Sequence, residues 1–178
     1  MDITKACRDI NELDKDTQYF CRKFLEECKK QGLNVLITET YRSQERQNYL
    51  YEQGRTRPGN VVTWTKNSNH TGRRAFDICK NVKGHEYDDN AFFKKCADIA
   101  VSLGLEAGYY WKDTQDKPHI QLPKGVKAPI KKPIIIDGKK YELDLRTIDD
   151  YTYIKLRDFE KAGYIIGYEN NIPSITKK

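Results

Sequence analysis

The chain has 178 residues, with 32 Lys and Arg against 26 Asp and Glu and a net charge of +6. Its apolar content is modest, yet 12 Tyr, 6 Phe and 2 Trp supply the bulk of a folded core and exclude a disordered chain. No apolar run approaches the ~20 residues of a membrane-spanning helix, so membrane insertion is excluded as well.

From the N-terminus, residues 1–7 lack a basic start followed by an apolar stretch, so no secretory signal is expected. Leu13, Thr17, Phe20, Cys21, Phe24, Leu25 and Cys28 fall at helical spacing and predict a helix over 13–31, stopped by Gly32. Residues 34–40 read as a largely buried strand. Ser43 is a good N-cap for a second helix to about Gln53, ended by Gly54. Residues 55–60, with Pro58-Gly59, are turn material. Short strands are predicted over 61–64 and 75–79, and residues 80–90 form a polar loop. Phe92, Phe93, Cys96, Ile99, Ala100 and Leu103 predict a third helix over 91–103, and a final strand pair is expected over 105–111 and 117–122. Helices and strands mix without regular alternation, which predicts an α+β fold with an antiparallel sheet flanked by helices.

Residues 123–133 hold three prolines and four lysines, and 124–133 read as a semi-stiff linker between a domain over 1–123 and a small α+β module over 134–178. In that module Asp137-Gly138 is a hairpin signal, followed by a strand near 151–155, a short helix over 156–162 and a strand pair over 164–168 and 172–176. Fewer than about 50 residues make a marginal core, so this piece is expected to lean on the first domain or on another copy of itself. Residues 124–178 carry 12 Lys and Arg against 8 Asp and Glu, whereas residues 1–123 carry 20 against 18. That bias favours an anionic surface such as a bacterial wall. Mixed signs and the absence of a nucleic-acid module argue against DNA or RNA. The five cysteines, Cys7, Cys21, Cys28, Cys79 and Cys96, are odd in number with no Cys-x-x-Cys pair, and read as reduced core thiols of a chain made in a cytoplasm.

The chemistry gathers in Ser68-Asn69-His70, Asp77 and Asp116-Lys117-Pro118-His119. Two imidazoles, one carboxylate and a spare acid are the parts of an open catalytic zinc site, which takes three protein ligands and leaves a fourth position for water. The chain has three histidines, so the choice of ligands is narrow. His85, in Lys83-Gly84-His85-Glu86-Tyr87-Asp88-Asp89, reads as solvated loop despite its acidic neighbours. Residues three apart on a strand face opposite ways, so a bend near Pro118 is needed to turn Asp116 toward a site at His119. Asp113 is the rival acid in that loop, and a turn-capping role is the plain alternative for Asp116.

Ser68-x-His70, Ala75-Phe76-Asp77 and Asp116-x-x-His119 resemble the zinc peptidases of the D-alanyl-D-alanine carboxypeptidase type. Within that group the chain is most similar to the L-alanyl-D-glutamate endopeptidases used as phage endolysins and bacterial autolysins. Tyr41-Arg42-Ser43, Gln47, Leu50-Tyr51, Gln53-Gly54-Arg55-Thr56, Pro58-Gly59 and Val62-Thr63 carry the likeness upstream, so that it covers roughly residues 10–122. The resemblance implies one Zn2+ per chain on His70, Asp77 and His119, with Asp116 as general base. It also places Arg42 to clamp a substrate carboxylate or stabilise the oxyanion, whereas Ser68 reads as a hydrogen-bond donor to substrate or to a ligand, with an ordinary loop hydroxyl as the alternative. Gln47, Gln53 and Thr63 are read as structural. The implied substrate is bacterial peptidoglycan, cut at the L-alanyl-D-glutamate bond after release of the enzyme from the cytoplasm to the wall. Rival readings are a D-Ala-D-Ala carboxypeptidase or dipeptidase, and a silent zinc-stabilised wall-binding protein. One departure stands out: the family carries Gly three residues after the first His, where this chain has Arg73, with Gly72 one place earlier. The C-terminal module is similar to copper amine oxidase N-terminal-like repeats in Asp137-Gly138-Lys139, Thr152-Tyr153-Ile154, Leu156-Arg157 and Ala162-Gly163-Tyr164, and is expected to bind the wall or to self-associate.

Overall fold

The structure, a computed structural model, describes residues 2–148, 151–169 and 172–177, in two compact units, Met1–Lys124 and Gly125–Lys178. The first unit contains α1 (Lys15–Lys30), β1 (Val35–Glu39), α2 (Gln44–Glu52), β2 (Ala75–Lys80), α3 (Asn90–Ser102), β3 (Glu106–Ala107) and β4 (His119–Gln121). Each helix starts where a side chain satisfies an orphan backbone N–H. Asp14 accepts from Thr17 N at 2.7 Å, Ser43 from Arg46 N at 3.2 Å, and Asp89 from Phe92 N at 2.9 Å. Gly32 and Gly54 follow α1 and α2 with φ of 73° and 75°, the left-handed conformation that glycine adopts at least cost.

The four strands form one antiparallel sheet in the order β1-β2-β4-β3. Phe76 and Ile78 point from β2 into the core, where Phe76 meets Phe24 of α1 with ring centroids 5.7 Å apart. Phe20, Cys21 and Cys28 of α1, Phe93, Cys96 and Ala100 of α3, and Ile120 of β4 complete an apolar layer almost without exposure. Cysteines 21, 28, 79 and 96 are buried, and all five are free thiols. Because side chains alternate along a strand, burying Phe76, Ile78 and Ile120 turns Asp77 and His119 to the opposite face. Register finishes the placement: Glu39 pairs with Asp77 and Asp77 with His119, so three functional side chains stand in one row across β1, β2 and β4.

Two expected strands differ. Residues 61–64 form no strand, because side chains satisfy acceptors along this stretch: Gln53 Nε2 donates to Asn60 O, Arg55 to Thr63 O and Gln47 Nε2 to Thr65 O. The strand expected over 105–111 is two residues long and passes into a 3-10 turn, Gly108–Tyr110.

The second unit has a three-stranded antiparallel sheet of β5 (Ile130–Ile136), β6 (Lys139–Ile148) and β7 (Tyr151–Ile154), a 3-10 helix Leu156–Ala162, and a hairpin of β8 (Tyr164–Glu169) and β9 (Ile172–Lys177). Residues 130–133, expected as linker, are paired with β6 from Ile130 onward. Pro133 is tolerated there because β5 is an edge strand, where a missing N–H breaks no ladder. Among the described side chains of these strands only Leu143 and Leu145 are buried, while Ile135, Tyr151 and Tyr168 are exposed. No helix of the described residues is long and apolar enough to cross a membrane.

Candidate metal centre

The row Asp77–His119 meets the loop that carries His70. His70 Nε2, Asp77 Oδ1 and His119 Nδ1 form a nearly equilateral triangle, with separations of 3.2 Å (His70–Asp77), 3.2 Å (Asp77–His119) and 3.3 Å (His70–His119). Donor atoms about 2.0–2.1 Å from a tetrahedral zinc stand about 3.3 Å apart, so these three atoms fit one face of such a site. The two imidazoles and the carboxylate are the only cluster of three His, Cys, Asp or Glu side chains able to hold a metal among the described residues. His85 is not part of it, and is exposed and bonded to Asp88 Oδ2 at 2.6 Å.

Each donor is oriented from behind. Thr40 N–H donates to Cys7 O at 2.7 Å and its hydroxyl to Asp9 O at 2.9 Å, leaving its carbonyl to accept from His70 Nδ1 at 2.6 Å. That contact makes Nδ1 the protonated nitrogen and Nε2 the free donor. His119 Nε2 lies 3.0 Å from Gln121 Oε1, and Trp111 packs on the ring with centroids 5.1 Å apart. Arg42 NH2 lies 3.7 Å from Asp77 Oδ2, the oxygen turned away from the imidazoles. Burial opposes ionisation of Asp77, but His70 and His119 outweigh it and hold the carboxyl well below its ordinary range. Burial also opposes a charge on His119, yet Asp77 prevails and its pKa is raised.

Above the triangle lies a cleft of about 540 Å³. Asp116 lines it and Asp113 does not. The bend required by Pro118 is a turn closed by His119 N–H donating to Asp116 O at 3.2 Å. Loss of hydration raises the Asp116 pKa, and the charge of Asp77 adds to the effect, against the pull of His119, His70 and Arg42. Asp116 therefore shares an electrostatic environment with the triangle. Ser68 lines the cleft while its hydroxyl accepts from His70 N at 3.3 Å, as in an ordinary loop turn.

Arg42 also lines the cleft but is tied down. NH2 donates to Glu39 Oε2 and NH1 to Gln47 Oε1, at 2.5 and 2.8 Å, while Nε is buried without a partner. Three further residues were given no role in the sequence. Glu39 holds both Arg42 and Arg46, the latter at 2.6 Å, and a lone acid at a strand end gives no sign of this. Gln121 shares a strand face with His119, the one hint available. Tyr87, read as loop, lines the cleft and stacks on Phe93 with ring planes 9° apart.

Arg73, the departure from the family pattern, has φ of 62°. Glycine is favoured there because other side chains rarely adopt that conformation. In this chain the arginine bonds Glu12 O and Glu12 Oε2 at 2.5 and 2.6 Å and stacks on Tyr41, 3.8 Å from the ring centre.

Comparison with known proteins follows the same residues. The family profile described as VanY: D-alanyl-D-alanine carboxypeptidase matches residues 10–122. The chain is 38% identical over 103 residues to the peptidoglycan L-alanyl-D-glutamate endopeptidase CwlK of Bacillus subtilis (strain 168), covering 51% of this chain and 62% of that one. It is 31% identical over 123 residues to the L-alanyl-D-glutamate peptidase of Listeria phage A118, covering 67% of this chain and 41% of that one. The matches thus span less than two thirds of either relative. Two solved structures share the fold. The L-Ala D-Glu endopeptidase ChiX of Serratia marcescens has TM-score 0.51 at 22% identity, covering 64% of this chain and 83% of that one. The LdcB LD-carboxypeptidase has TM-score 0.51 at 21% identity, covering 62% and 58%.

Proposed function

The chain belongs to the VanY, D-alanyl-D-alanine carboxypeptidase, family, and from that premise we propose that it is a zinc-dependent peptidoglycan hydrolase that cuts the L-alanyl-D-glutamate bond of the stem peptide. The observation that carries this reading is the triangle of free donor atoms, 3.2–3.3 Å on each side, with the Asp116 carboxyl facing the same cleft. The choice of bond is supported by the names of CwlK and the phage A118 peptidase.

His70 Nε2, Asp77 Oδ1 and His119 Nδ1 would hold the ion. Zinc bound by two neutral imidazoles and one carboxylate supplies Lewis acidity and lowers the pKa of bound water toward about 7. Asp116 takes a proton from the attacking water and delivers it to the leaving amine. Burial and the charge of Asp77 raise its pKa in the metal-free protein, and a dication bound beside it would act in the opposite direction. Arg42 acts through its positive charge. With NH1 and NH2 already engaged and Nε buried, it is better suited to offset the developing oxyanion than to clamp a carboxylate with two parallel bonds. Ser68, Asn67 and Asn69 offer polar groups to the substrate backbone, and Trp64, Tyr87 and Trp111 wall the cleft. The C-terminal unit, with its excess of lysine and exposed Tyr151 and Tyr168, is read as a wall-binding module of an endolysin or autolysin that works at the cell wall.

The family description itself favours a second reading, removal of terminal D-Ala. Digestion of purified peptidoglycan by the zinc-loaded protein, with mass spectrometry of the new end groups, separates the two. New D-Glu amino termini are expected. Free D-Ala without release of stem peptides overturns the choice of bond, and a folded, zinc-loaded Asp116→Ala that still digests wall removes Asp116 from the reaction.

A further inference from the structure

The two imidazoles of the centre are oriented by different means. His70 donates to a backbone carbonyl, Thr40 O, which no substitution of a side chain removes. His119 depends on a side chain, the Gln121 amide, and an amide can turn either end to a neighbour. What decides between the ends is one residue further out. Glu106 stands opposite Gln121 in the β3–β4 register, and its Oε2 is 2.5 Å from Gln121 Nε2. An ionised carboxylate only accepts hydrogen bonds, so the NH2 end of Gln121 must face Glu106 and Oε1 must face the other way. Oε1 there accepts from Asn69 Nδ2 at 2.6 Å and from His119 Nε2 at 3.0 Å. A proton on His119 Nε2 leaves Nδ1 bare, and Nδ1 is the atom in the triangle.

We infer that Gln121 is a positioning residue for the metal centre, its amide set by Glu106 and Asn69 so that His119 presents the unprotonated Nδ1 to the ion. The inference rests on the zinc reading above. It gives a purpose to a polar chain that runs from His119 through Gln121 to Glu106, and Asn69 adds a second effect. Asn69 immediately precedes His70, so the same amide braces the loop that carries one imidazole against the strand that carries the other.

Asn69 and Gln121 also line the cleft, which suggests direct substrate contact as the rival role. A substrate contact alone raises KM and leaves metal affinity unchanged. The test is therefore the zinc dissociation constant, measured by competition with a chromogenic chelator, for the unsubstituted chain, Gln121→Leu, and the exchange Glu106→Gln with Gln121→Glu. The exchange keeps a donor at 106 and an acceptor facing His119. Gln121→Leu is expected to weaken zinc about 10–100-fold, and the exchange to restore binding to within about threefold. Zinc affinity in Gln121→Leu equal to that of the unsubstituted chain overturns the assignment, as does an exchange that binds no better than Gln121→Leu. Failure of the unsubstituted chain to take up one zinc overturns the metal reading itself, and this inference with it.

Discussion

Asp77 and His119 face one another in register on paired antiparallel strands, Oδ1 to Nδ1 at 3.2 Å. Without metal, this contact is where a proton resides: Asp77 is held below its ordinary pKa and His119 above. A raised histidine contributes stability below its unfolded value near 6.5 and loses it as pH rises through the folded value; a depressed carboxyl contributes above about 3.9 and loses it as pH falls. The metal-free protein should thus gain most from this pair between about pH 4 and 6.5. If zinc is the ion, as proposed, it would have to displace the same proton, so stabilisation by zinc would run the other way and grow with pH. Thermal melts in chelator and in excess zinc, each referenced to His119→Gln, check both signs between pH 5.5 and 8.5, on the order of the range where histidine titrates. A metal-free stability difference that rises across that range would contradict the assignment.

Glu39 is the second member of the same row, and its side chain is only 9% exposed. It neutralises two guanidiniums that are themselves 10% exposed, Arg42 and Arg46. Removing one partner of a buried ion pair leaves uncompensated charge and costs about 3–5 kcal/mol. Glu39→Ala is expected to lose stability on that scale by chemical denaturation. It should also weaken zinc, because an untethered Arg42 is free to close its 3.7 Å gap to Asp77 and compete for the carboxylate. Unchanged stability would place the two arginines in water instead.

Arg73 tests whether the departure from glycine is compensated. Its backbone keeps φ of 62° whatever side chain is attached, so Arg73→Ala retains the strain and loses the Glu12 bonds and the Tyr41 stack. Arg73→Gly loses the same contacts but relieves the strain, worth about 1–2 kcal/mol. Denaturation should find the glycine variant more stable than the alanine variant by about 1 kcal/mol or more. Equal stabilities would mean the loop has relaxed to another conformation.

How far the sequence was legible depends on whether a residue's partner was near in the chain. Ser43 announces α2 because a cap acts on residues three positions away, and Asp137-Gly138 announces the β5–β6 hairpin for the same reason. His70, Asp77 and His119 could be read because the family pattern preserves their order, although the atoms that meet are up to 49 positions apart. Glu39 was invisible because its significance lies in the register that sets it beside Asp77. Gln121 was half visible: alternation puts it on the face of His119, but Glu106 sits on a two-residue strand with no periodicity to detect. Tyr87 belongs to a polar loop whose course is set by stacking on Phe93, a contact without local signal.

Gly108 is where backbone shape and chemistry meet most closely. A Cβ built on it would lie 2.5 Å from Asp116 O, 3.1 Å from Asp116 Cβ and 3.2 Å from His119 Cβ, and Gly108 O also accepts from Asp116 N at 3.0 Å. The first of these atoms is backbone, so it cannot swing aside as a flexible side chain would. Gly108→Ala must push the whole Asp116–His119 turn, moving the proposed general base and one donor atom of the triangle together. A displacement of about 1 Å at a reacting group costs on the order of 10²-fold in rate, and the variant should lose activity on that scale, with zinc held less tightly as well. Gly72 is the control. It lies two residues from His70, yet its nearest neighbour to an added Cβ is Asn69 O at 3.6 Å, an ordinary contact. Gly72→Ala should therefore keep activity within a few-fold. If the two alanine variants fall equally, the close approach at Gly108 does not set the position of Asp116.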